Sequence, residues 1–156
     1  MENKLQILAF WQGFISSIPD GRPLPAGFTE AYHFCDNEND ANELAVLVQA
    51  GIKTATCGML WAYEAEGEAM PQVGEYNIIT DWDEKPVCVI ELTEVQIRSY
   101  NAVNDAFAYD EGEGDRSLAY WRRVHWEAFS RECALIRREP AESMPLVCER
   151  FRMVYP

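Results

Sequence analysis

The stretch "GIKTATCGMLW", residues 51–61, places Lys53 after an apolar run that ends in a glycine, and Lys53 is one of three lysines in the chain, with Lys4 and Lys85. A lysine partly desolvated where a loop meets a strand is a candidate base or oxyanion partner, because burial lowers its pKa. Thr54 and Thr56 add hydroxyls close by, and an activated hydroxyl can act as a nucleophile or hold a water. In a flat strand Lys53 shares a face with Ala55 and Cys57 while Thr54 and Thr56 turn the other way, so only a bulge or bend would join Lys53 to Thr56. On spacing alone, an ordinary exposed lysine fits the segment better.

A second group lies in "YDEGEGD", residues 109–115, with Asp110, Glu111, Glu113 and Asp115 separated by two glycines that allow the carboxylates to turn inward. Its chemistry would be general acid or base work, or a cradle of oxygen ligands for a divalent metal. The alternative is a solvated helix end. Neither this stretch nor "DNENDA" at 36–41 passes for a calcium loop; the latter lacks the central glycine and has Leu47 where a bidentate glutamate belongs. The two histidines, His33 and His125, form no HExxH pattern, and His125 between Val124 and Trp126 reads as a half-buried helix residue. Trp61 or Trp82 could stack on a base beside the lysine, although core packing is the commoner fate of such rings. No GxSxG, P-loop or GxGxxG segment occurs.

The elements that must position these groups follow from periodicity. Residues 3–17 carry Leu5, Leu8, Phe10, Trp11, Phe14 and Ile15 at helical spacing, and "PDGRPLP" breaks the run. A helix is expected to open in "DNENDA", to place Leu44, Leu47 and Val48 on one face, and to stop at Gly51. Strands are expected near 30–35, 53–57, 75–80, 86–97 and 146–154, with an acidic hairpin turn at "DWDEKP" and alternation in the last strand. Helical turns are expected in "MLWAYEAEGE" and "NAVNDAFAY". A longer helix in "RSLAYWRRVHWEAFSRECALI" puts Leu118, Trp121, Val124, His125 and Phe129 in register. This order predicts a curled α+β domain or small mixed barrel.

Composition bounds the function. The 156 residues fit one domain, expected to span 1–156, and 13 basic against 26 acidic residues leave a net charge of −13. That average field repels polyanions, which argues against tight binding to duplex DNA. Residues 1–115 hold 5 basic and 21 acidic side chains, whereas the rest hold 8 arginines and 5 glutamates. Phosphate contact would therefore come from Arg116, Arg122, Arg123, Arg137 and Arg138, unless these simply pair with the acidic majority. Five cysteines without a CxxC pair read as free thiols in a reducing, cytoplasmic setting. No signal-peptide pattern and no 18-residue apolar run is present, so no membrane association is expected.

Taken in order, the aromatic N-terminal helix, "GIKTAT", "PQVGEYNII", "PVCVIELTEV", "FAYDEGEGDRSLAYW" and "VCERFRMVY" resemble the ASCH family, related to the RNA-binding PUA domain. The resemblance covers nearly the whole chain, and Gly-x-Lys-x-x-Thr with "EGEGD…W" is fairly specific in combination. It implies an α+β, PUA-like mixed β-barrel with flanking helices and a cleft that handles RNA or modified nucleosides. A small ASCH relative hydrolyses the amide of N-acetylated cytidine with a lysine, a threonine three residues later and a glutamate. By resemblance these are Lys53, Thr56 and Glu111, with Glu113 as the other possible carboxylate. Thr54, Trp61, Tyr63, Glu113 and Arg116 would bind substrate, without a cofactor, and with a divalent metal left open. Other relatives are ribonucleases, and a non-catalytic PUA-like module for nucleosides or short single-stranded RNA is the alternative. The site, read as a surface cleft, predicts that Lys53→Ala abolishes turnover and changes stability by no more than about 1 kcal/mol.

Overall fold

The computed structural model describes residues 2–156, which are α+β, with five α-helices and a five-stranded half-barrel sheet. The helices are α1 (Glu2–Ser17), α2 (Glu38–Gln49), α3 (Leu60–Glu66), α4 (Asp105–Glu111) and α5 (Leu118–Leu135). The strands are β1 (Glu30–Tyr32), β2 (Ala55–Met59), β3 (Tyr76–Thr80), β4 (Pro86–Ser99) and β5 (Pro145–Tyr155), in the order β1-β3-β4-β5-β2. β1 pairs with β3 in parallel, while β3–β4 and β2–β5 are antiparallel. All five strands form near their expected positions, but β1 ends at Tyr32 and β2 starts only at Ala55, so Lys53 and Thr54 precede the strand expected to hold them. No helix among the described residues is long and apolar enough to cross a membrane.

The described chain falls into two compact units. The first takes in the chain through Gly51, residues 73–92 and residues 151–156. Its α1 buries Trp11 and Phe14 against Ile78 and Val89, with Phe28, Tyr76 and Tyr155 packed around them. Leu5 and Leu8, expected on that face, are 65% and 44% exposed. The aromatic residues two turns later hold the helix, because their area and tilted ring contacts outweigh the leucines. α2 opens on Asn37, whose side chain accepts the Asp40 amide at 2.9 Å, and its end is closed by the Gly51 amide on the Val48 carbonyl at 3.0 Å. Its buried stripe is Ala41, Leu44, Ala45 and Val48.

The second unit takes in residues 52–72 and 93–150. Its core is built from Ala55 and Met59 of β2, Phe107 of α4, Trp121, Phe129 and Cys133 of α5, and Leu146 and Cys148 of β5. Asn104 and Ser117 cap α4 and α5 by accepting the Phe107 and Tyr120 amides. In β5, Leu146, Val147, Cys148 and Glu149 are buried in succession, so the expected alternation fails where the strand is covered on both faces.

All five cysteines are free thiols; Cys88, Cys133 and Cys148 are buried, Cys57 is half-buried, and Cys35 is exposed. Thiol titration of the denatured, unreduced protein should return all five. Recovery of three or fewer would contradict this arrangement.

Candidate active site

The two segments singled out by residue type meet in the second unit. Backbone bonds bring them together: the Thr54 amide donates to the Asp110 carbonyl at 2.7 Å, and the Thr54 hydroxyl reaches the same oxygen at 3.4 Å. Arg116 closes the junction by donating from Nε to the Tyr109 carbonyl at 3.0 Å and from a terminal nitrogen to the Ile52 carbonyl at 3.4 Å. Its guanidinium lies 3.5 Å from the Tyr109 ring centre. Arg116 therefore fastens the end of α4 to the residue before Lys53. Arg150 ion-pairs with Asp110 and ties the same helix to β5.

Lys53 is only 1% exposed, contrary to the reading as an ordinary surface lysine. Its Nζ donates to the Ala55 carbonyl at 2.9 Å and faces the Glu111 carbonyl at 3.4 Å. It also meets Glu111 Oε1 at 3.4 Å and Glu113 Oε1 at 3.2 Å. Burial pulls the lysine pKa down, but the charges of Glu111 and Glu113 raise it above its ordinary value. Lys53 is thus a held ammonium, and the expected lowering by burial is overturned by two carboxylates.

Glu111 is equally buried, at 1% exposure, and its second oxygen accepts the Trp121 indole N–H. The same Oε2 lies 3.3 Å from His125 Nε2 and accepts the Cys57 thiol at 3.5 Å. Burial would raise the Glu111 pKa; the charges of His125 and Lys53, with hydrogen bonds from His125 and Trp121, outweigh it and hold the carboxyl at about 2. Cys57, half-buried, is desolvated beside that carboxylate, so its pKa is pushed well up and it stays a thiol. Glu113 is the more accessible carboxylate, with 16% of its side chain exposed.

Two glycines aim Glu113. Gly112 and Gly114 have φ of +77° and +57°, where a side chain is strained. Space forbids one as well. A β-carbon on Gly112 would come within 2.9 Å of the Ile52 carbonyl oxygen, and one on Gly114 within 2.4 Å of the Tyr120 ring.

Other expected site residues lie differently. β2 runs in unbroken register with β5, Thr56 opposite Glu149 and Cys57 opposite Cys148. With no bulge, alternation turns Thr56 to the face opposite Cys57. Trp61 packs against the core of its unit, and Arg138 covers its ring at 4.6 Å. Tyr63 lies against Gly58, where a β-carbon would come within 3.3 Å of its ring. Thr54 and Arg116 serve the junction described above.

The arrangement adds residues that sequence reasoning left out: Trp121, His125 and Cys57. Trp121 and His125 stand one helical turn apart, with rings stacked at 4.2 Å. That spacing was legible, but it reads equally as core packing. Cys57, Glu111 and His125 could offer a thiolate, a carboxylate and an imidazole to one ion, since their ligand atoms lie within 4.8 Å of one another. An ion there would have to displace the protons of Cys57 and His125 and sit beside the Lys53 ammonium, which opposes it electrostatically.

A family model described as an ASCH domain matches residues 30–155. The chain is similar to the crystal structure of an ASCH domain from Lactobacillus crispatus JV V101, with 39% identity and a TM-score of 0.89 over 97% of this chain and 96% of that one. It is also similar to the crystal structure of a protein from Enterococcus faecalis V583, with 33% identity and a TM-score of 0.85 over 97% of this chain and 90% of that one. No curated protein matches the sequence.

Proposed function

Since the chain belongs to the ASCH domain family, we propose that it is a hydrolase that opens an amide on a modified nucleoside or short single-stranded RNA. The observation that supports this most is the buried Lys53 ammonium bridging one sequestered and one accessible carboxylate. Such a perturbed, coupled cluster is the kind of environment in which proton-transfer groups are tuned.

The roles follow from accessibility. Glu111 has its oxygens occupied by Lys53, Trp121, His125 and Cys57 and is ionised well below neutral pH, so it makes a poor base. It orients Lys53. Glu113 takes a proton from a water whose oxygen attacks the amide carbonyl, and the charge of Lys53, held behind Glu113, offsets the negative charge that develops on the carbonyl oxygen. The C–N bond then breaks, Glu113 passes its proton to the leaving amine, and the acid and the free amine depart. Water, not Thr56, is the nucleophile in this scheme.

The net charge of −13 favours a small substrate over a long duplex. A second reading, a non-catalytic RNA-binding module, draws support from Arg122, Arg123, Arg131, Arg137 and Arg138, all exposed on α5 or just beyond it. Incubation with N-acylated cytidine and a panel of other acylated nucleosides, followed by mass spectrometry, separates the two. Release of free nucleoside and carboxylic acid is expected. Binding of single-stranded RNA without turnover of any acylated nucleoside would favour the module.

A further inference from the structure

We infer that His125 is held as an imidazolium, a second buried cation that shares Glu111 with Lys53 and fixes that carboxylate in place. The hydrogen-bond geometry points to this proton assignment. His125 Nδ1 lies 2.9 Å from the Trp121 carbonyl oxygen, which can only accept, so Nδ1 carries a hydrogen. His125 Nε2 lies 3.3 Å from Glu111 Oε2. That oxygen already accepts from the Trp121 indole and the Cys57 thiol, and its twin faces the Lys53 ammonium, so the carboxyl is ionised and Nε2 must donate as well. A neutral imidazole would set a lone pair against one of these acceptors.

The surroundings agree. From α4 the facing charge is Glu111, and from the loop after it Glu113; from the segment before β2 comes Lys53, and from β2 the neutral Cys57 thiol. On its own helix, His125 stacks on the face of Trp121, which favours a cation, and meets Phe129 in a tilted contact at 5.6 Å. Lys53 and His125 then balance Glu111 and Glu113, and the buried cluster is neutral. Burial alone would lower the histidine pKa, but the Glu111 charge and hydrogen bond raise it above the ordinary 6.5. Stability from this pair is complete below that ordinary value and is lost as pH rises through the raised one.

In the hydrolase reading, on which only this last role rests, His125 is a positioning residue. It reaches substrate solely through Glu111 and Lys53, so its deprotonation should lower the rate on the alkaline side.

The charge state is testable without any substrate. Nitrogen-15 NMR of the labelled wild-type protein, its His125 signals assigned by comparison with His33→Gln, reports the protonation of both ring nitrogens against pH. The expected result is two protonated nitrogens on His125 at pH 7, with a titration displaced above 6.5. In Glu111→Gln the same titration should move below that value. A lone-pair nitrogen on His125 at pH 7 in the wild type would overturn the inference. Two protonated nitrogens in a protein that turns over no acylated nucleoside would uphold it while removing the hydrolase reading.

Discussion

Lys53→Met is expected to destabilise the protein by about 3–5 kcal/mol, the usual cost of removing one partner from a buried ion pair. Methionine keeps most of the lysine stem, so the loss reports the ammonium and not a cavity. Without it, the Ala55 and Glu111 carbonyls lose a donor inside the protein, and Glu111 keeps only one of its two flanking cations. Glu113, partly exposed, can turn to water and recover part of the cost. This replaces the expectation of a change within about 1 kcal/mol, which assumed a surface cleft. Urea unfolding at neutral pH measures it, and a loss under about 1 kcal/mol would show that the cluster is not the buried pair described here.

Glu111→Gln should be at least as damaging, and its pH dependence should have the opposite sign to that of the wild type. In the wild type, the depressed Glu111 pKa contributes stability above the ordinary carboxylate value, near 4.5, which is lost as pH falls through about 2. The His125 contribution runs the other way, present at low pH and lost through its raised value. Removing the Glu111 charge leaves the buried Lys53 and His125 with Glu113 alone. Desolvation then dominates at His125, its folded pKa drops below the unfolded one, and folding must expel a proton in acid. The variant should therefore gain stability from pH 6 to 8, while the wild type gains none. Denaturant midpoints across that range decide it. Parallel pH profiles would contradict the assignment of Glu111 as the shared counter-ion.

Much of this is legible in the sequence alone. The five strands announced themselves through β-branched runs between turn residues, and the helix expected to open in "DNENDA" does so at Asn37. Lys53 and Glu111 could be paired through the resemblance, since Gly-x-Lys-x-x-Thr and the acidic glycine loop occur together in that family. Misreadings arose where tertiary contact overrides local pattern. Leu5 and Leu8 match helical spacing but are left exposed, because the aromatic residues further along α1 already bury its face. Residues 146–149 lose alternation because both faces of β5 are covered. Local sequence also suggested an exposed Lys53. Only the meeting of residues 52–54 with the end of α4 explains how a charged side chain stays inside. His125 and Cys57 could not be assigned to the site from spacing, since each reaches Glu111 from a different element.

The most direct test of the central claim is the rate of amide hydrolysis on an N-acylated cytidine by wild type and by Glu113→Gln, with folding checked by circular dichroism. If the accessible carboxylate paired to Lys53 moves the proton, the variant should fall by about 10²–10⁴-fold while remaining folded, because glutamine can neither accept nor deliver it. Equal rates in the two proteins would contradict the account.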